Sequence, residues 1–208
     1  MRNSKPRSKK TSFAIVLDGK TEFWYFQMMV RNEKENLNIR IKPELPSKKS
    51  LAHQFKLVKH LSKDFNKVFW IIDLDVILKE TREVKKGEKA KIQELNEYKN
   101  VLNKQYTNAI ALIVNNPCLE FWFLLHFEST AKFFFNCNGA EKQLKNYLKD
   151  YEKTEKYFTK ENNDIYLRLN PNLKNALNNA NNLGKFNIKD PNIAICEMQL
   201  FFEAVGFK

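Results

Sequence analysis

The chain of 208 residues carries 36 Lys and Arg against 24 Asp and Glu, a formal net charge of +12. That length allows one large domain or one domain with a helical extension, and the charge favours a polyanionic partner over an acidic small substrate, although abundant Lys and Asn also suit a merely basic, soluble protein. No stretch approaches a membrane span, and Cys118, Cys137 and Cys196, odd in number and widely separated, fit neither a disulfide framework nor a zinc site, so a reducing cytoplasm is expected.

Met1 to Thr11 reads as a basic, apolar-poor, flexible tail without the apolar segment of a signal peptide. Residues 12–208 read as one domain, helical in its last part from about 138. Ser12 to Leu17 is the first buried-strand candidate, and it stops at the polar turn Asp18-Gly19-Lys20-Thr21. A helix then begins at Glu22 and runs to Val30, with Thr21 as its expected N-cap. Leu37 to Lys42 alternates apolar and polar residues as a second strand, closed by Pro43 and Pro46. Ser50 to Phe65 follows as an amphipathic helix, with Leu51, Phe55, Val58, Leu61 and Phe65 on one stripe. His53 and His60 lie off that stripe and read as surface histidines.

Lys67 to Asp75 is the central stretch. Val68-Phe69-Trp70-Ile71-Ile72 reads as a strand buried on both faces, as in a parallel sheet, and it ends in Asp73 and Asp75, which on extended chain can point the same way. Open parallel sheets bind ligands just outside the carboxyl ends of their strands, and paired carboxylates there seat a hard cation. Asp also ends many strands simply as a turn former or cap. Val76 to Lys89 reads as a loop or frayed helix whose cluster Lys79, Arg82, Lys85, Lys86, Lys89 and Lys91 could border the acids and hold phosphates, or be a solvated face. A helix from Lys89 to Tyr106 and a strand from Ala109 to Val114 follow. Pro117 then opens an apolar helix, Phe121 to Phe127, with Glu120 in its first turn. His126 lies about 240° round that helix from Glu120, so the two do not share a ligand, and it reads as a buried packing histidine. Downstream, Ala140 to Tyr151, Asn172 to Leu183 and Asn192 to Val205 look helical, and Phe133-Phe134-Phe135 reads as a short strand or core plug.

Strand ends carrying Asp18 and Glu22, Asp73 and Asp75, and Glu120 would meet at one sheet edge, because parallel connections return in the same direction. Clustered carboxylates repel unless Mg²⁺ or Mn²⁺ neutralises them. One or two such ions point to phosphoryl transfer or phosphodiester hydrolysis, and Lys20 beside Asp18 could steady a non-bridging oxygen or be an exposed turn lysine. No GxxxxGK[ST], GxGxxG or GxSxG motif is present, which argues against a P-loop NTPase, a dinucleotide enzyme and an α/β-hydrolase.

Taken together, Phe13 to Glu22 with Tyr25-Phe26, then Ile72-Asp73-Leu74-Asp75, then Asn116-Pro117-Cys118-Leu119-Glu120 through Phe127 resemble the RloB family, which includes the AbiLii component of an abortive-infection system and belongs to the Toprim-like proteins. The resemblance implies an α/β Toprim-like, Rossmannoid fold, a mainly parallel sheet flanked by helices with a C-terminal helical cover. It also implies a divalent-metal nuclease-like site, and an ABC- or AAA-type ATPase encoded alongside it in antiviral defence. On this resemblance Asp18 falls on the acid of the first Toprim motif, where the family has Glu, with Glu22 the second acid. Asp73 and Asp75 fall on the DxD pair, and Glu120 and His126 on a late motif. The expected function is a metal-dependent nuclease or toxin acting on DNA or RNA, with tRNA among the substrates considered. The rivals are a metal-dependent nucleotidyl or glycosyl transferase using the DxD pair, and a non-catalytic module that binds the ATPase.

Overall fold

A computed structural model describes residues 11–207, so the expected tail falls, apart from Thr11, outside the described residues. Its sheet has the order β2-β1-β3-β4-β5. Strands β1 (Thr11–Val16), β2 (Ile39–Glu44), β3 (Lys67–Asp73) and β4 (Ile110–Asn116) are parallel. The two-residue β5 (Ile195–Cys196) adds an antiparallel edge. The alternation of side chains along a strand divides the core in two. Phe13, Ile15, Leu17, Phe69, Ile71 and Ile113 pack on one face; Ala14, Val16, Val68, Trp70, Ile72 and Val114 pack on the other. Burial on both faces is what the continuous apolar runs demand.

The first face is covered by α1 (Lys20–Glu33), α5 (Leu119–Leu125), α8 (Ile165–Leu169), α9 (Leu173–Asn181) and α10 (Gln199–Val205). The second is covered by α2 (Leu51–Leu61), α3 (Leu74–Arg82) and α4 (Lys91–Gln105). The short helices α6 (Cys137–Leu144) and α7 (Glu155–Phe158) complete the C-terminal cover.

Several sequence expectations are corrected here. The N-cap of α1 is Gly19, not Thr21. Pro43 does not close β2 but lies within it, opposite Ile15, which an edge strand tolerates because one of its sides makes no ladder. Asp75 is not on extended chain: the backbone turns helical at Leu74, where the amides of Leu74 and Asp75 both donate to the Pro117 carbonyl at 3.0 and 3.2 Å. The segment after it is therefore helix as far as Arg82, with Ile77 and Leu78 buried. Residues 133–135 are irregular, with Phe134 buried and Phe135 64 % exposed. Sequence reading also missed β5, α7 and α8, each of five residues or fewer, too short for a period to declare itself. Finally, Cys118 and Cys137 form a disulfide. Their 19-residue separation in sequence hides that the N-cap of α5 and the first residue of α6 lie side by side. Cys196 is free and buried.

Candidate active site

Each helix that follows β1, β3 or β4 carries an acid in its first turn: Glu22 in α1, Asp75 in α3 and Glu120 in α5. The unpaired amides and partial positive charge of a helix N-terminus favour a carboxylate there. Asp18, just past β1, and Asp73, the last residue of β3 and N-cap of α3, add two more at the same edge.

Gly19 shapes the first corner. A Cβ at this position would stand 2.6 Å from Glu22 Oε2, so only glycine lets the carboxylate fold back over the turn. Glu22 is 4 % exposed and accepts from Thr21 Oγ1 at 3.2 Å. Burial, with the nearby charges of Glu120 and Asp18, pushes its carboxyl up to about 7. Asp18 is set by a relay across the sheet: Trp70 Nε1 donates to Gln54 Oε1 at 2.7 Å, and Gln54 Nε2 donates to Asp18 Oδ1 at 3.0 Å. Burial raises the Asp18 carboxyl, and the Gln54 bond and Lys49 counter part of that rise. Its outer side opens on a cavity of about 380 Å³ that Lys49, Glu80 and Lys91 also line.

At the second corner Asp75 is held through both oxygens. Val76 N–H donates to Oδ1 at 2.7 Å, and Cys137 N–H donates to Oδ2 at 3.1 Å. Asp73 differs: its Oδ1 is sealed from solvent without a hydrogen-bond partner, and so are both side-chain polar atoms of Asn115, the residue opposite it in the β3–β4 register. Burial first, then the charges of Glu22, Glu120, Asp18 and Asp75, hold the Asp73 carboxyl well above its ordinary range. Buried polar groups without partners are costly, and here they lie among mutually repelling acids.

Glu120, 2 % exposed, is engaged differently. Tyr151 OH donates to its Oε1 at 2.7 Å and Lys153 Nζ lies 2.8 Å from the same oxygen, while the sulfurs of Cys118 and Cys137 stand 2.9 and 2.7 Å from Oε2. Sulfurs joined in a disulfide have no proton to donate, so these approaches are contacts and become S–H donors only on reduction. Among the described residues, the one place where ligand atoms of three His, Cys, Asp or Glu side chains gather within 4.8 Å of one another is Cys118, Glu120 and Cys137. With the two sulfurs joined in a disulfide it offers one carboxylate and no thiolate. Asp18, Glu22, Asp73 and Asp75 share one edge and feel one another's charge but do not close to that spacing.

His126 caps α5 at its C-terminal end. It is buried, its Nδ1 lies 3.0 Å from the Trp122 carbonyl, and its ring stands edge-on to Trp122. Burial lowers it to about 4, which makes it a neutral packing group. Lys20 is exposed at the first residue of α1. The basic cluster is split. Lys79 and Arg82 border Asp75 in a groove, Lys85 and Lys86 are exposed in the link between α3 and α4, and Lys89 and Lys91 pair with Glu97 and Glu94. Gln54, Asn115, Tyr151 and Lys153 were not expected from sequence. Asn115, next to last in β4 and level with Asp73, carried a signal; Tyr151 and Lys153, in a link remote in sequence, carried none.

By their chemistry the unpartnered oxygens of Asp73 and Asn115 suit a hard divalent cation, while the acids around them stand wider apart than a closed set of ligands. A family model described as RloB-like protein matches residues 13–204. No curated protein and no solved structure matches the chain.

Proposed function

The chain belongs to the RloB-like protein family, and from that premise we propose that it is a divalent-cation-dependent nuclease that hydrolyses phosphodiester bonds in DNA or RNA. The observation that carries this reading is the cluster of acids at the carboxyl edge of the sheet, with Asp73 Oδ1 buried and unpartnered. A divalent cation bound there would supply an activated water and charge compensation at the scissile phosphate.

The chain's own residues supply the rest. Asp73 and Asp18 offer the oxygens that would hold the cation, and the Gln54 relay and the Cys137 amide fix the orientation of Asp18 and Asp75. Such outer contacts govern how well a site keeps its geometry. Glu22, with its carboxyl near 7, holds a proton in part at neutral pH and releases it when positive charge enters the cluster; a group in that range can also accept a proton during reaction. Lys79 and Arg82, on the groove beside Asp75, would neutralise substrate phosphates. Work with a partner ATPase of the ABC or AAA type in abortive-infection defence is supported by the family resemblance alone.

The test is incubation of the protein with plasmid DNA, single-stranded DNA and total tRNA, and in separate arms with a nucleotide-sugar, each with Mg²⁺, Mn²⁺ or EDTA, alongside Asp73→Asn. Metal-dependent cutting that the variant loses is expected. Intact nucleic acid in every arm, with a nucleotide-sugar hydrolysed instead, would replace this reading with the transferase.

A further inference from the structure

Beside Asp75 lies a groove of about 430 Å³ between α3 and the chain entering α6, lined in part by Val76, Lys79, Arg82, Phe135 and Asn136. That volume is in the range of small-molecule sites, roughly 300–1,000 Å³. Two apolar side chains project into it with large exposure, Val76 at 50 % and Phe135 at 64 %. An exposed phenylalanine is costly to leave in water, and here the chain on both sides of it is fixed. Phe134 is buried against Phe121 and lies 3.2 Å from where a Cβ on Gly139 would stand. The Asn136 side chain caps α6 by accepting from Gly139 N–H. Cys137 is tied to Cys118 and donates to Asp75. The Phe135 ring is thus displayed on a rigid support, which lowers the ordering cost of binding to it.

The Arg82 guanidinium lies 4.5 Å from the centroid of the Phe135 ring. With Arg82 over it the ring still stays 64 % exposed, and an exposed aromatic ring with an arginine alongside is what unpaired nucleobases stack on, since every base has a π-face. The acids on the rim, Asp75 and Glu83, are matched by the cations Lys79 and Arg82, so the groove does not repel a phosphate as the carboxylate cluster alone would.

We propose that this groove seats an unpaired nucleobase of a single-stranded nucleic acid, stacked on Phe135 and Arg82. The sugar-phosphate of that nucleotide then lies at Asp75. A paired base in a duplex has no free face to offer the ring, so the substrate class is single-stranded nucleic acid. This deepens the nuclease reading and rests on it only for the fate of the phosphate.

The test is made in EDTA, where no cutting occurs, on the full chain with oligonucleotides carrying 2-aminopurine, as single-stranded DNA, single-stranded RNA and the matching DNA duplex, with the free 2-aminopurine nucleotide as a further arm. Expected are tighter binding of a single strand than of the duplex and a change in 2-aminopurine fluorescence. Phe135→Ala should weaken single-strand binding by roughly 5- to 100-fold and abolish that change, as loss of one aromatic–base stack does, whereas Phe135→Trp restores both. Phe135 is exposed, so these substitutions do not threaten the fold. Unchanged affinity in Phe135→Ala, a preference for duplex, or free nucleotide bound as tightly as the oligonucleotide would overturn the proposal. If stacking is found but no metal-dependent cutting occurs, the nuclease reading fails and the base site stands; if cutting occurs and is indifferent to Phe135, the nuclease reading stands and the base site fails.

Discussion

Gly19 and Glu22 are separated by two residues, and their contact decides the first corner of the cluster. With φ at −146°, Gly19 has a backbone that alanine adopts freely, so Gly19→Ala changes only the space above the turn. The added Cβ, 2.6 Å from Glu22 Oε2, must push the carboxylate aside. Folding stability should stay within about 1 kcal/mol of the parent, as for substitutions without cavity or backbone strain, while affinity for Mn²⁺ falls by roughly tenfold or more, the size of effect seen when a site's supporting contacts are lost. Calorimetry and urea unfolding on the same preparation measure the two effects separately. The raised carboxyls of Glu22 and Asp73 also set a pH dependence. A carboxyl raised in the folded state binds more protons there than in the unfolded chain, so its contribution is present below the unfolded value and is lost as pH rises through the folded one. In the absence of divalent cations, stability should therefore decline between pH 4.5 and about 7, by on the order of 3 kcal/mol from Glu22 alone. Asp73→Asn should make the decline shallower by removing the contribution of a second raised carboxyl, and flat unfolding midpoints across this window in the parent would show that burial does not raise these carboxyls in solution.

At the scale of elements, the apolar runs of β1, β3 and β4 were legible because strands buried on both faces have little choice but Val, Ile, Phe and Trp. The acids were legible for the same reason, standing out at the ends of those runs. What could not be read was the direction of the chain beyond them. Asp73-Leu74-Asp75 suits extended chain and the first turn of a helix equally, and the choice is made by the Pro117 carbonyl on the neighbouring connection, a contact between residues more than forty apart in sequence. The same limit hid the Cys118–Cys137 bond, since cysteine spacing carries no information about which loops adjoin. That bond closes a loop with a sequence separation of 19, for which loop-closure entropy gives about 3 kcal/mol. Reduction with a phosphine should lower unfolding free energy by about that amount in urea titrations. Equal stability of the oxidised and reduced protein would mean that packing of Phe121, Phe134 and Ala140 fixes this segment without it.

Across the whole molecule, charge and cluster divide the work. The net charge of +12 favours nucleic acid at long range, but the structure shows that the lysines after α3 are not equivalent, since Lys89 and Lys91 have acidic partners in α4 and Lys85 and Lys86 are exposed. Replacing Lys85 and Lys86 by Ser should flatten the slope of log K against log salt for a single strand by about 1.4, two phosphate contacts at about 0.7 each. An unchanged slope with lost binding to a purified ATPase partner would make this link a docking segment. The C-terminal cover was the least legible part, because its elements are short and read by what they pack on: Tyr151 and Lys153 reach Glu120 from a link with no regular structure. The central claim is that the acids form a seat for a hard divalent cation, and calorimetric titration of Mn²⁺ into the oxidised protein at pH 7.5, without nucleic acid, tests it most directly. The account predicts saturable binding by the parent that Asp73→Asn weakens by at least tenfold; equal affinity in the two proteins, or no binding by the parent, would contradict it.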